Sequence, residues 1–294
     1  MQSQFPAGAR SSGSVGAIIL KNKGAQNTIT PRGFQICAAR NFRRAASEDL
    51  RRELFSTMSQ TILVTGANRG IGLALTRELL ANGHRVIATA RDPESGRALN
   101  ELEQRYAELF FSVKMDVTSD ESINGAAELL EKEIEALDVL VNNAAIFPEE
   151  GDESIFDIDL QHFRDAFETN VLGVVRVTRA FTKLLEKSDN PRVVNISSGA
   201  GSISGKEDHG FYAYATSKAA LNMVSRAMAH ELRARKICVV AMTPGWVKTD
   251  MGGSNAPLTP EESARAIART ITSLKLEQTS RFIERNGSEV GYGW

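Results

Sequence analysis

Cysteine is nearly missing from this chain, with two in 294 residues, Cys37 and Cys238. They form no CxxC pair and no Cys/His spacing, which argues against a zinc site or a disulfide framework. A reducing compartment is the simpler setting, and no metal is expected. No apolar run approaches the ~20 residues that a membrane span requires. A dominant charge is lacking too. Lys and Arg number 35 against 36 Asp and Glu, a formal charge of −1, so no basic field points to nucleic acid. Internal repeats and a second domain boundary are also missing. The length suffices for one large domain with a substantial core.

A more local absence concerns acids. None occurs before Glu48, while Arg10, Arg32, Arg40, Arg43 and Arg44 are scattered among Ser, Ala and Gly. Residues 1–57 hold nine Lys and Arg against Glu48, Asp49 and Glu53, a local charge of +6, so the rest carries −7. That composition fits a mitochondrial or plastid transit peptide. A non-native extension ahead of Met58 fits as well, because the first strand comes directly after it. A secretory signal fits less well, since the apolar stretch 15–20 is shorter than the ~7–15 residues needed. Residues 1–57 therefore read as a disordered leader, with a short helix near 47–55, and residues 58–294 as the folded domain. Location depends on the same choice: cytoplasmic if the leader is non-native, mitochondrial or plastid if it is a transit peptide.

What is present is an alternation. Short apolar runs at 61–65, 85–90, 109–115, 138–141, 192–196 and 237–242 read as buried strands. Helical spacing separates them at 70–81, 119–136, 159–187 and 212–235, with a last helix at 260–274 and a short strand at 281–284. A further helix opens at Asp92-Pro93, an N-cap with Pro at the first helical position. Ile123, Ala126, Ala127, Leu130 and Ile134 show the one-sided stripe of a helix lying on a core. Strands without alternating polarity, divided by helices, imply a parallel sheet covered on both faces.

Two motifs carry chemistry. Thr65-Gly66-Ala67-Asn68-Arg69-Gly70-Ile71-Gly72 stands where strand one meets its helix. Such a turn offers a phosphate free backbone N–H groups, with no Cβ where pyrophosphate meets the backbone. Far downstream, Tyr214-Ala-Thr-Ser-Lys218 places a phenol and an ammonium one helical turn apart on one face. A free phenol titrates near ~10, and a neighbouring cation favours the phenolate and lowers that value. Either motif alone is ordinary. Tyr212 has no such partner, because position 216 is Thr.

Together, in this order, the motifs resemble the classical short-chain dehydrogenase/reductase family over about residues 59–294. The resemblance implies a single-domain, Rossmann-type doubly wound parallel α/β sheet in three layers. It implies a catalytic set of Ser198, Tyr214 and Lys218 with Asn170, from Asn195-Ile-Ser-Ser198 and Glu168-Thr-Asn-Val-Leu-Gly173. Ser198 would hold a carbonyl oxygen and Tyr214 protonate it, while Asn170 holds a water linking Lys218 to solvent. The gap from Ser198 to Tyr214 is sixteen residues, three longer than the common family spacing. The excess falls in the turn-rich 205–210 loop, which can bulge without moving either end.

Cofactor contacts carry over to Gly66, Asn68, Arg69, Gly70, Ile71, Gly72, Asp116, Val117, Asn143 and Ala144. They extend to Tyr214 and Lys218, and to Pro244, Gly245, Val247 and Thr249. Asp116 would meet the adenine ring, or alternatively cap the next helix. Ala145 stands where Asn142-Asn143-Ala144 is usually followed by Gly. Strand two ends in Ala90 where an acid would bind a ribose hydroxyl, and Arg91 comes next; with Arg69 this implies NADP(H).

Pro244-Gly-Trp-Val-Lys-Thr-Asp-Met-Gly-Gly253 and the terminal Asn286-Gly…Trp294 look like the C-factor-like carbonyl reductase branch. The resemblance implies NADPH-dependent reduction of aldehydes or ketones, with a small carbonyl or alcohol compound as partner, and leaves a homodimer or homotetramer open. A non-catalytic NADP(H)-binding redox-sensing or developmental protein is the alternative. A sugar-nucleotide epimerase fits less well, lacking GxxGxxG and a C-terminal substrate domain. Phe147, Phe156, Phe211 and Trp246 are candidates for an apolar pocket, and 246–260 for a mobile lid.

A chain beginning at Met58 should fold and react like the full chain, because no named site residue precedes it. Fusing residues 1–57 to a fluorescent protein separates the two leader readings: import with cleavage marks a transit peptide, diffuse signal a misassigned start. An inactive or insoluble shortened chain would overturn both.

Overall fold

The computed structural model describes residues 59–93, 97–149, 153–207 and 209–294. The leader, its expected helix and Cys37 lie outside the described residues. Seven strands form one sheet: β1 (Thr61–Thr65), β2 (Arg85–Ala90), β3 (Phe110–Lys114), β4 (Val139–Asn142), β5 (Arg192–Ile196), β6 (Cys238–Thr243) and β7 (Phe282–Glu284). Their order is β3-β2-β1-β4-β5-β6-β7, and all neighbours are parallel. The direction of winding reverses between β1 and β4. At such a switch point the strands' C-terminal ends open a crevice between diverging loops.

The helices are α1 (Gly70–Ala81), α2 (Arg97–Arg105), α3 (Asp120–Glu133), α4 (Leu160–Phe167), α5 (Gly173–Leu185), α6 (Tyr212–Leu232) and α7 (Pro260–Ser273). Successive strand residues face opposite layers. Ile62 and Val64 join Leu75 and Leu79 of α1, Leu99 of α2 and Ile267 of α7 on one side. Leu63 and Leu140 join Ile123 of α3, Phe181 of α5 and Leu232 of α6 on the other. The result is the three-layer, doubly wound α/β architecture that the alternation of runs implies.

Several boundaries shift by one to three residues from their sequence expectation, and two expectations are corrected. Asp92 and Pro93 lie in a bend, so Pro93 is not the first helical position, and α2 is described from Arg97. The single helix expected over 159–187 is instead α4 and α5 joined by a π-helical turn, Glu168–Leu172. Such a turn adds a residue to the helical repeat and rotates the side chains beyond it. Here Asn170 and Val171 face inward, Asn170 with no exposed surface.

Side-chain amides knit the strand ends together. Asn142 Nδ2 donates to Asn195 Oδ1 at 2.9 Å and Thr178 Oγ1 at 3.1 Å, and Asn195 Nδ2 donates to Ser225 Oγ at 2.8 Å. This fully buried chain ties β4, β5, α5 and α6 just below the crevice. No described helix is long and apolar enough to cross a membrane.

Candidate active site

The glycine turn is shaped first by the chain's own packing. Gly66 has φ +63° and Gly70 φ +55°, values that L side chains rarely adopt. A Cβ on Gly66 would stand 2.9 Å from Ala144 Cα, and one on Gly72 would stand 2.6 Å from Asn143 Nδ2 and closer still to the Gly66 carbonyl. At these two positions glycine is required by close packing within the turn and against the end of β4, as a tight turn demands. Gly70 differs, since its Cβ would meet only the Thr249 side chain, at 3.4 Å.

Arg69 precedes α1 and gives it no side-chain cap, so the first-turn N–H groups keep free valence toward solvent. A cavity of about 300 Å³ opens there, lined by Asn68, Arg69, Gly70, Lys248 and Thr249 among others. Arg69 reaches across it to Asp250 at 2.9 Å, both exposed. Ile71 packs against the core. At the end of β2, Ala90 is buried and Arg91 exposed.

β3 and β4 supply the flanks. Asp116 Oδ1 accepts from Thr118 N at 2.9 Å and Thr118 Oγ1 at 2.8 Å, and the cap of α3 is Ser119 instead. Val117 packs against Gly173. Thr65 Oγ1 accepts from Asn143 N and Ala144 N, both at 2.9 Å, and Asn143 Nδ2 returns to Thr65 O at 2.8 Å. Asn143 and Ala144 therefore hold the glycine turn against β4.

Tyr214, Ser198 and Lys218 come together. Ser198 lies within reach of the Tyr214 hydroxyl and favours its ionised form. Ser197 turns inward to Asn222, which leaves Ser198 as the serine facing the crevice. Lys218, 2 % exposed, donates from Nζ to Ile196 O at 2.8 Å and lies 5.7 Å from the Tyr214 ring centroid. Tyr212 packs against Ile158 and Ala166. Asn170 Oδ1 accepts from Ile146 N at 2.8 Å, and its Nδ2 donates to Ile146 O at 2.9 Å and Ser217 Oγ at 3.0 Å. Its side chain thus braces the loop after β4 against α6.

The electrostatics depart from expectation in one respect. Burial pushes the Tyr214 phenol above its ordinary value; the Ser198 hydrogen bond opposes this and the Glu149 charge adds to it. On balance the phenol is raised rather than lowered, and burial lowers the Lys218 ammonium from 10.5 to about 7.

The segment after β6 closes on itself. Lys248 N donates to Leu258 O at 2.8 Å, Trp246 Nε1 to Gly252 O at 2.7 Å and Ser263 Oγ to Pro244 O at 2.8 Å. Gly245 has φ +79°, and Val247 pairs with Leu258. Of the four aromatics that are candidates for an apolar pocket or for the core, Phe147 packs on Tyr214 and Phe211, with centroids 5.0 and 5.3 Å apart. Phe156 (92 % exposed) and Trp246 (57 %) stand in solvent.

Sequence reasoning missed two contributors. Glu149 is buried and bonds the start of α6. The residues at 292–294 cover the 199–205 loop, where Ser202 and Ser204 donate to Tyr292 O and Trp294 O. Neither has a periodic signature, because both act through contacts remote in sequence. Among the described residues, no group of three or more His, Cys, Asp or Glu could hold a metal ion.

Lys218 sets a testable stability term. Between about pH 7 and 10.5 the unfolded chain holds a proton that the folded chain has lost, so this residue's contribution improves as pH rises and its full penalty stands below about 7. Lys218→Met should therefore melt higher than the parent chain at about pH 6, with the gap closing toward about pH 10. Thermal melts across pH measure this, and a variant that melts lower throughout would refute it.

Similarity to known proteins agrees with this geometry. The short chain dehydrogenase family matches residues 60–258. The carbonyl reductase Sniffer of Drosophila melanogaster superposes with a TM-score of 0.76 at 32 % identity, over 80 % of this chain and 100 % of that one. An NADPH-bound carbonyl reductase from chicken fatty liver gives 0.73 at 33 % identity, over 80 % and 99 %. C-signal of Myxococcus xanthus is 40 % identical over 154 residues, 52 % of this chain and 92 % of that protein. With the glycine turn at the switch point and the Ser198–Tyr214–Lys218 cluster beside it, the chain belongs to the short-chain dehydrogenase/reductase family of oxidoreductases.

Proposed function

We propose that the chain is an NADPH-dependent reductase of aldehydes or ketones. The observation that carries this reading is the meeting of Tyr214, Ser198 and the buried Lys218, whose Nζ lies 5.7 Å from the Tyr214 ring centroid. A phenol raised by burial is protonated at neutral pH, the state a proton donor to a carbonyl oxygen must have. The residues present fit such a cofactor: uncapped N–H groups at α1 suit a diphosphate, Arg69 and Lys248 line the cavity at that turn, and the exposed Arg91 follows β2, where a cation would accommodate a 2′-phosphate.

A dinucleotide held there would supply the hydride for the carbonyl carbon. Ser198 Oγ and the Tyr214 hydroxyl together hold the carbonyl oxygen. As negative charge develops there, the Tyr214 proton passes to it, leaving a phenolate. The Lys218 ammonium, fixed by Ile196 O, stabilises that phenolate and returns a proton. Asn170 keeps the 143–149 loop in register with α6. Phe147 and Phe211 give one side of the site an apolar wall, which suits a carbonyl compound with an apolar substituent. The similarity to C-signal supports a second reading, an NADP(H)-binding signalling protein. NADPH oxidation against a panel of carbonyl compounds separates the two.

Tyr214→Phe should bind NADPH as the parent does and lose roughly 10²–10⁴-fold in turnover, the worth of a positioned general acid. Activity within a few-fold of the parent would remove Tyr214 from that role. NADPH should also bind more tightly than NADH by roughly 1.5–3 kcal/mol, one charge-assisted contact. Arg91→Ala should erode that preference and spare NADH kinetics. A parent chain that prefers NADH would overturn the assignment of Arg69 and Arg91.

A further inference from the structure

Helix α6 carries Tyr214 and Lys218, yet nothing local closes its start. Phe211, the residue before it, lies in the left-handed region at φ +52° and offers no side-chain cap, and the first turn holds no acid. The free N–H groups of a helix start need partners, and here one comes from 64 residues upstream. Glu149 Oε1 accepts from Ala213 N at 2.6 Å and from Tyr214 N at 3.0 Å, and Oε2 accepts from Tyr214 N at 3.2 Å. The residue is 5 % exposed. A buried carboxylate is costly unless bonded, and an anion at a helix N-terminus is stabilised by the dipole. Each group therefore satisfies the other.

The segment from β4 to Glu149 is held along its length. Asn143 grips the glycine turn, Asn170 grips both backbone groups of Ile146, and the Phe147 ring lies on Tyr214. Glu149 is the last link, and it ends on the backbone of the proton donor itself.

We propose that Glu149 is a positioning residue for the reduction: by closing the start of α6 from the β4 loop, it fixes the Tyr214 hydroxyl against Ser198 and sets the charge that surrounds it. The kinetic part rests on the reductase reading above. Among the described residues, the groups facing Tyr214 are Lys218 on its own helix, Ser198 from the β5 loop and Glu149 from the β4 loop. Burial is the largest influence on the phenol and raises it, and the Glu149 charge raises it further. Losing that charge also leaves the positive end of α6 uncompensated. Both effects favour phenolate, so the phenol should titrate at lower pH, and reduction should fail at lower pH on its alkaline side.

Three full-length variants test this: Glu149→Gln keeps the size and one acceptor but not the charge, Glu149→Ala removes both, and Glu149→Asp keeps the charge. Two readouts are used. The first is ultraviolet titration of the Tyr214 phenol, taken as the difference from the same chain carrying Tyr214→Phe. The second is the pH dependence of kcat and KM with NADPH. Glu149→Gln should move the phenol titration and the alkaline limit of kcat to lower pH. Glu149→Ala should lower kcat by about ten- to a hundred-fold, the cost of a misplaced reacting group, with KM and NADPH affinity changed far less. Glu149→Asp should recover part of kcat.

A purely structural cap would lower the melting temperature and move neither pH readout, which overturns the proposal. So does a shifted titration with an unmoved kcat limit. If Glu149→Ala does not fold, Glu149→Gln decides. If the parent oxidises no NADPH with any carbonyl compound, the reductase reading falls. The phenol titration of Glu149→Gln then decides alone whether Glu149 acts on Tyr214.

Discussion

The backbone of Gly66 lies against the backbone of Ala144, and the site is assembled around that contact. It brings the turn after β1 to the end of β4, across the point where the winding of the sheet reverses. Thr65 Oγ1 receives two N–H groups from the β4 side, and Asn143 returns its amide to the β1 side. A Cβ at Gly66 or Gly72 would meet backbone or the Asn143 amide. Two of the three glycines are therefore required by close packing within the protein. The open N-terminus of α1 is a consequence of that packing.

From this fixed edge the rest of the site is hung by buried polar bonds. Asn170, turned inward by the π-helical turn, holds Ile146 and Ser217. Asn142 and Asn195 hold β4 to β5 and both to the helices behind them. Lys218 reaches back to the last carbonyl of β5. Buried polar groups are costly when unpaired, so each pairing restricts where its neighbours can stand. The same burial that positions Tyr214 and Lys218 raises the first and lowers the second, so a protonated phenol stands beside an amine that can gain or lose a proton near neutral pH.

Much of this was legible in the chain. Strands β1, β2 and β5 and helix α1 fall on the residues that composition and spacing gave, because apolar runs and helical periodicity are local properties. The glycine turn and the Tyr214–Lys218 pair were legible for the same reason, as each is contiguous or one helical turn long. The long helix was misread in detail. The 159–187 segment has helical spacing throughout, and only the folded structure shows the π turn at Glu168–Leu172. Asp92-Pro93 carries the composition of a helix start, yet both residues lie in a bend. Four aromatic residues read as candidates for a pocket or for the core, and two of them stand in solvent.

The sequence by itself determined the alternation of strand and helix, the parallel sheet that this alternation implies, and the types of chemical group at the strand ends. Those depend on neighbours in the chain. Tertiary structure decided that Gly66 and Gly72 face Ala144 and Asn143. It also decided that burial raises the Tyr214 phenol, and that α6 is closed by a carboxylate from the β4 loop. Each of these depends on the distance and burial of groups far apart in sequence. Glu149 and Tyr214 are separated by 65 residues, and no local pattern records that they meet.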